Sequence, residues 1–165
     1  MEYLIRYCLN SKKKGCCKMN KQAGERKRDI DIKNLKGGKF INIGRYDYIC
    51  RMIFEKGGER YHLHVQCAWR ISQNNVVIMT DMDVFSTPER SRFDGKLEDI
   101  RAKIGTGREV KDVQISDYYD ITFFLDNAMR IDIFVDDQED ECWRFLQTGV
   151  LPHQVVQANS MEFDC

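Results

Sequence analysis

The sequence predicts an α+β domain, mainly an antiparallel β-meander of about six to eight strands, with two short helices and a disordered basic N-terminal arm. Three observations carry this. Gly57-Gly58 and Asn74-Asn75 each sit between alternating apolar runs, as tight hairpin turns do. Residues 119–125 and 129–135 alternate in the same way. Residues 1–28 hold nine Lys/Arg against two acids and almost nothing to bury.

The arm comes first. The run Ser11-Lys12-Lys13-Lys14-Gly15-Cys16-Cys17-Lys18 has no period, so residues 1–28 are read as a passive basic tail and 29–165 as a single α+β domain. Nucleic-acid contact, or a polybasic segment with acylatable cysteines at a membrane surface, are the functional alternatives for the arm. Met19 offers a second possible start of the chain. The net charge is zero overall, but the arm carries +7 and the remainder −7.

β structure begins near Phe40. Turning the chain at Gly57-Gly58 sets Phe54 against Tyr61, Met52 against Leu63 and Cys50 against Val65. Turning it at Asn74-Asn75 sets Ile71 against Ile78, Trp69 against Thr80, Cys67 against Met82 and Val65 against Val84. Both registers bury Leu63, Val65, Cys67, Trp69 and Ile71, which makes 59–71 the middle strand of a three-stranded meander over 47–85. Pro88 ends that meander. Asp94 caps a helix over 95–104, with Leu97, Ile100 and Ile104 inward and Gly105 as its stop.

Strands resume near Val110. A three-residue loop, Asp126-Asn127-Ala128, sets Leu125 against Met129, Phe123 against Ile131 and Ile121 against Ile133. Asp136 with Glu139 reads as a capping box for a second helix over 137–147, which buries Cys142, Phe145 and Leu146 and stops at Gly149 before Pro152. A last strand, 153–158, rejoins the sheet through Val155 and Val156.

Composition narrows the class of protein. No stretch of roughly 18 apolar residues occurs, and Tyr3-Leu4-Ile5 is cut short by Arg6, so neither membrane insertion nor a signal core is expected and the default location is cytoplasmic. Seven cysteines without a C-x-x-C pair argue against a zinc ribbon or a complete disulfide framework. Cys50, Cys67 and Cys142 fall at apolar positions, where a free Cys behaves as a small hydrophobe.

The chemistry-bearing residues fall in two groups. On the far face of strand 59–71 lie His62, His64, Gln66, Ala68 and Arg70, with Arg51, Asp81 and Asp83 alongside. The expected register brings Arg70 diagonal to Asp81 and His64 diagonal to Asp83. A solvated face with cross-strand ion pairs explains this set, each pair contributing at most about 1 kcal/mol. A binding surface is the functional alternative, and so is metal ligation by His62, His64 and Asp83. The second group is Asp136, Asp137, Glu139, Asp140 and Glu141. A helix cap needs fewer carboxylates, and the surplus suits docking to a basic partner.

Familiar catalytic signatures are missing. Gly105-Thr106-Gly107 lacks the Lys-Ser/Thr of a phosphate loop, and there is no G-x-S-x-G, H-E-x-x-H or calcium-loop spacing. Aromatics are not interleaved with Lys/Arg on a strand, which argues against nucleic acid.

Residues 63–71, Leu-His-Val-Gln-Cys-Ala-Trp-Arg-Ile, with Asp81 or Asp83 after them, resemble a pattern in small bacterial proteins, some of which are similar to toxin-immunity proteins. Gly-Lys-Phe-Ile-Asn-Ile-Gly-Arg over 38–45 resembles the entry strand of such proteins. The resemblance implies a toxin-immunity-like protein, and the −7 charge of residues 29–165 with the acidic cluster makes the expectation a non-enzymatic domain, without cofactor, that docks on and neutralises a toxin partner. Asp137, Asp140, Glu141, Arg70, Asp83, His64 and Gln66 are the candidate contacts. The alternative is a small metal- or ligand-dependent enzyme using His62, His64, Asp81 and Asp83.

Overall fold

The computed structural model describes residues 31–85, 90–157 and 160–164. The basic arm and Pro88 lie outside the described residues. Eleven strands form one antiparallel sheet among the described residues. They are β1 (Lys39–Tyr46), β2 (Ile49–Lys56), β3 (Glu59–Val65), β4 (Ala68–Gln73), β5 (Val76–Thr80), β6 (Arg108–Ile115), β7 (Ile121–Leu125), β8 (Met129–Phe134), β9 (Glu141–Gln147), β10 (His153–Gln157) and β11 (Ser160–Asp164). A 3-10 turn at Ile32–Leu35 precedes the sheet, and a single turn, α1 (Met82–Phe85), precedes α2 (Arg90–Ile104), the longest helix among the described residues. This overturns the expected meander of about six to eight strands with two short helices.

The strand order is β11-β10-β9-β3-β2-β1-β6-β7-β8-β4-β5. The sheet turns over on itself at the β1–β6 seam, where only Lys39↔Glu109 and Phe40↔Arg108 pair. Gly37 N–H donates to the Val110 carbonyl there, and Val110 N–H donates back to Gly38, both at 2.8 Å. Gly38 is a requirement of this approach: a Cβ at that position would stand 2.8 Å from the Glu55 carbonyl oxygen.

Folding the sheet brings the inner faces of its two halves together. Phe54 on β2 stacks on Phe123 of β7 with centroids 4.9 Å apart, and Phe40 stands 5.2 Å from Phe54. Trp143 of β9 is fully buried, and its Nε1–H donates to the Tyr119 carbonyl at 3.0 Å, tying one half to the β6–β7 connection of the other. Leu97, Ile100 and Ile104 of α2 are buried as expected, and Gly105 stops the helix with φ of +58°. The helix begins at Arg90, so Asp94 lies inside it and is not its cap.

The Gly57-Gly58 hairpin has the expected register: Phe54↔Tyr61, Met52↔Leu63 and Cys50↔Val65. The Asp126–Ala128 loop also behaves as read, with Phe123↔Ile131 and Ile121↔Ile133, while Asn127 and Ala128 take positive φ. Three other expectations fail.

Segment 59–71 is two strands. After β3 the chain passes through Gln66 and Cys67 into β4, which pairs with β8 and β5 on the other half of the sheet. The alternation survives the crossing, because Leu63, Val65, Cys67, Trp69 and Ile71 are all buried in the shared core. A continuous alternation therefore concealed the change of half.

The Asn74-Asn75 hairpin carries a bulge between Ile71 and Ser72, which moves Ile71 opposite Met79 and Arg70 opposite Thr80. Thr80 ends β5, so Met82 and Val84 belong to α1 and do not face Cys67 and Val65.

The third failure is the helix expected over 137–147, which is β9. Asp137 Oδ1 accepts N–H bonds from Glu139 (2.7 Å) and Asp140 (2.9 Å) as a helix cap would, but the chain turns there and runs on from Glu141 as a strand. The strand buries Trp143, Phe145 and Gln147 at every second residue, the aromatic pattern a pleated surface favours.

Candidate binding groove

Alternation fixes what the outer face of the first half presents. β3 buries Leu63 and Val65, so His62 and His64 turn outward; β9 buries Trp143 and Phe145, so Arg144 and Leu146 turn outward. The register sets Arg144 opposite His64 on one side and Val155 on the other. The result is a groove of about 330 Å³ lined by His64, Gln66, Glu141, Arg144 and His153, with Ile49 and Leu146 as apolar walls.

Its charges are paired. Arg144 Nη2 donates to Glu141 Oε2 at 2.7 Å and Nη1 to Asp164 Oδ2 at 2.7 Å, with His153 Nδ1 at 3.4 Å from Nη1. The bonds to Glu141, then to Asp164, raise the guanidinium's pKa against the opposing effect of burial. Gln66 Nε2 donates to Glu141 Oε1 at 3.2 Å.

The imidazoles are uncharged at neutral pH. His64 is pushed down to about 4, first by burial and then by the positive charge of Arg51, with Glu141 opposing. His153 is lowered by burial and by Arg144, and His62 by burial and by Arg51 and Arg60. Arg51 donates to His62 Nδ1 from Nε (3.2 Å) and Nη2 (3.0 Å), and His62 Nε2 meets Thr148 Oγ1 at 3.0 Å. A guanidinium can only donate, so His62 is the neutral Nε2–H tautomer.

Of the sequence-derived candidates, His64, Gln66 and Glu141 come together in this groove. Asp137 and Asp140 stand in the exposed loop 136–140 that runs into Glu141. Arg70 does not join them: on β4 it donates to Asp132 at 3.0 Å and lies over the Phe134 ring at 5.1 Å. Asp83, in α1, accepts the Thr80 N–H and pairs with Lys96. The expected Arg70–Asp81 and His64–Asp83 diagonals are therefore not formed, and His62, His64 and Asp83 do not converge on one point among the described residues. Each of those pairings assumed that 59–71 was one strand.

Sequence reading missed Arg144, His153 and Asp132. Arg144 was assigned to a helix, so its place beside His64 could not be seen. Asp132 had a visible signal: a carboxylate on a strand between Ile131 and Ile133, flanked by Arg130.

No helix among the described residues is long and apolar enough to cross a membrane. No family model matches the chain, no curated protein matches it in sequence, and no solved structure matches its fold.

Proposed function

We propose that the chain is a non-enzymatic protein-binding domain of the toxin-immunity kind, bacterial and cytoplasmic, which docks on a basic partner through loop 136–140 and the groove behind it. One observation carries this reading: the charge there is one-sided. Asp136, Asp137, Glu139 and Asp140 are all exposed, while the groove's own guanidinium is already held between Glu141 and Asp164. A basic surface approaching this edge meets carboxylates and no free cation of the groove. Such complementarity speeds encounter and fixes orientation.

Two further features favour recognition over bond-breaking. No hydroxyl, thiol or amine side chain lines the groove among the described residues, and its one carboxylate, Glu141, is held by Arg144 and Gln66. His64, at about 4, is too weak a base for efficient proton transfer near neutral pH. The likeness of residues 63–71 to toxin-immunity-like proteins, and the −7 charge of residues 29–165, point the same way.

The test takes a purified, inactivated toxin domain encoded beside this chain's gene and measures binding by calorimetry and stopped flow. The expected result is a one-to-one complex whose association slows as salt rises. Glu139→Lys with Asp140→Lys should raise Kd by roughly ten-fold or more, since like-charge juxtaposition costs several kcal/mol. No complex, or an unchanged Kd in the double variant, overturns the proposal.

A further inference from the structure

The two-residue link between β3 and β4 brings a second set of chemical groups together, away from the groove's paired charges. Cys67 sits in that link, Asp136 in the loop after β8, and Cys142 near the start of β9. Their ligand atoms, two Sγ and a carboxylate oxygen, all lie within 4.8 Å of one another. The backbone around them is fixed: Gln66 N–H donates to the Cys142 carbonyl at 2.8 Å, and Ala68 N–H to Asp136 Oδ2 at 3.3 Å. Neither thiol is in a disulfide, and Cys142 Sγ–H donates to the Asp137 carbonyl at 3.7 Å.

We propose that Cys67, Cys142 and Asp136 form a binding site for a thiophilic divalent cation of the Zn²⁺ class, which clamps the β3–β4 link to the loop before β9.

The chemistry of the donors selects the ion. Two thiolates favour a borderline-soft metal over Mg²⁺ or Ca²⁺, and two sulfurs with a carboxylate oxygen make three corners of a tetrahedron. With metal–sulfur bonds of about 2.3 Å, tetrahedral sulfurs stand roughly 3.8 Å apart, so the site needs only a small contraction by side-chain rotation. Cys67 and Asp136 also line a cleft of about 190 Å³ of mixed polar and apolar wall, Tyr48, Gln66 and Asp81 beside Val65 and Trp69, which leaves room for a water as fourth ligand.

Burial, and then the negative character of Cys142 and Asp136, push the Cys67 thiol up, so a cation must displace its proton to bind. Deprotonation and binding are then one event. The site shares Asp136 with the acidic docking loop and would hold that loop against β3, but the Glu139→Lys/Asp140→Lys docking test touches none of its ligands.

The test uses the full chain, reduced and metal-free, with Zn²⁺ and Co²⁺ as probes. One equivalent of Co²⁺ should give the visible bands of a tetrahedral site with thiolate-to-metal charge transfer in the near ultraviolet. Zn²⁺ should displace it and raise Tm. Cys67→Ser, Cys142→Ser and Asp136→Asn should each weaken Zn²⁺ by at least the roughly 10–100-fold that even an outer-shell partner contributes. The combined variant Cys8→Ser/Cys16→Ser/Cys17→Ser should bind as the parent does. Asp136 is exposed, so Asp136→Asn keeps the test sound if a cysteine variant misfolds. Tetrahedral Co²⁺ spectra that persist in Asp136→Asn and Cys67→Ser, or no one-equivalent binding in the parent, overturn the proposal. So does a Cys67–Cys142 disulfide found by intact mass in place of metal.

Discussion

Replacing Asp132 by Asn should destabilise the fold by about 2–3 kcal/mol, somewhat less than the roughly 3–5 kcal/mol that breaking a fully buried ion pair costs. The carboxylate is 2% exposed and accepts from Arg70 (3.0 Å), Arg130 (2.7 Å) and Thr122 Oγ1 (3.0 Å). Each hydrogen bond to a charged group is worth roughly 1.5–3 kcal/mol, but the three do not add. The two guanidiniums are 44% and 45% exposed, so water takes over most of what they lose. What remains is the cost to the buried side: an amide NH₂ facing two donors, and Arg130 and Arg70 released from fixed positions over Phe124 and Phe134. For a domain of this size the loss lowers Tm by roughly 6–10 °C. Urea melts followed by fluorescence of Trp69 and Trp143 should show a lower midpoint with an unchanged slope. The pH dependence supplies the sign. Burial raises the pKa of Asp132, but the bonds from Arg130, Arg70 and Thr122 outweigh it and hold it below the usual carboxylate range. Its stabilisation is therefore complete above about pH 4, the unfolded value, and is lost as pH falls through the lowered folded value. Parent and variant should converge in acid. A loss under about 0.5 kcal/mol at pH 7, the range of an ordinary surface change, or a gap that does not narrow as the pH falls through the acid range, would refute this account of the network.

Two further outcomes follow from the packing and the groove. Gly38→Ala places a Cβ 2.8 Å from the Glu55 carbonyl oxygen and 3.0 Å from that of Leu35, so it should cost about 1–3 kcal/mol in a urea melt, and a neutral result would show the seam to be loose. His64→Gln should flatten the acid limb of the stability curve. Its folded pKa of about 4 lies below the unfolded value, so its contribution is whole above about pH 6.5 and is lost as pH falls toward 4.

Local rules were readable where one turn decided everything. Gly57-Gly58 and Asp126–Ala128 fixed their own registers, because a slip would have moved Met52, Leu63, Phe123 and Ile131 to the wrong face. Burial of Leu63 through Ile71 was readable for the same reason. Which strand lay beside which was not, because a two-residue link such as Gln66-Cys67 carries no turn signal, and both halves of the sheet share one core. The groove suffered most from this. Its members on β3 could be named, but Arg144 and His153 reach it only through pairings between distant strands. The thiol–carboxylate cluster depends on the same crossing: Cys67 and Cys142 each read as a buried hydrophobe, and only the fold sets them beside Asp136.

The place of β3 also bears on how a ribosome delivers this chain. His64 pairs with Arg144, eighty positions later, so one flank of β3 waits for β9 for roughly 4–16 s at ordinary elongation speeds. The segment from β4 to β8, apart from the short β1–β6 seam, finds its neighbours within itself and can complete its pairing before β9 is made. During that wait β3 is a temporary sheet edge, open to capture by another nascent chain. Glu59 and Arg60, exposed at its start, blunt that edge as charged residues do on permanent ones.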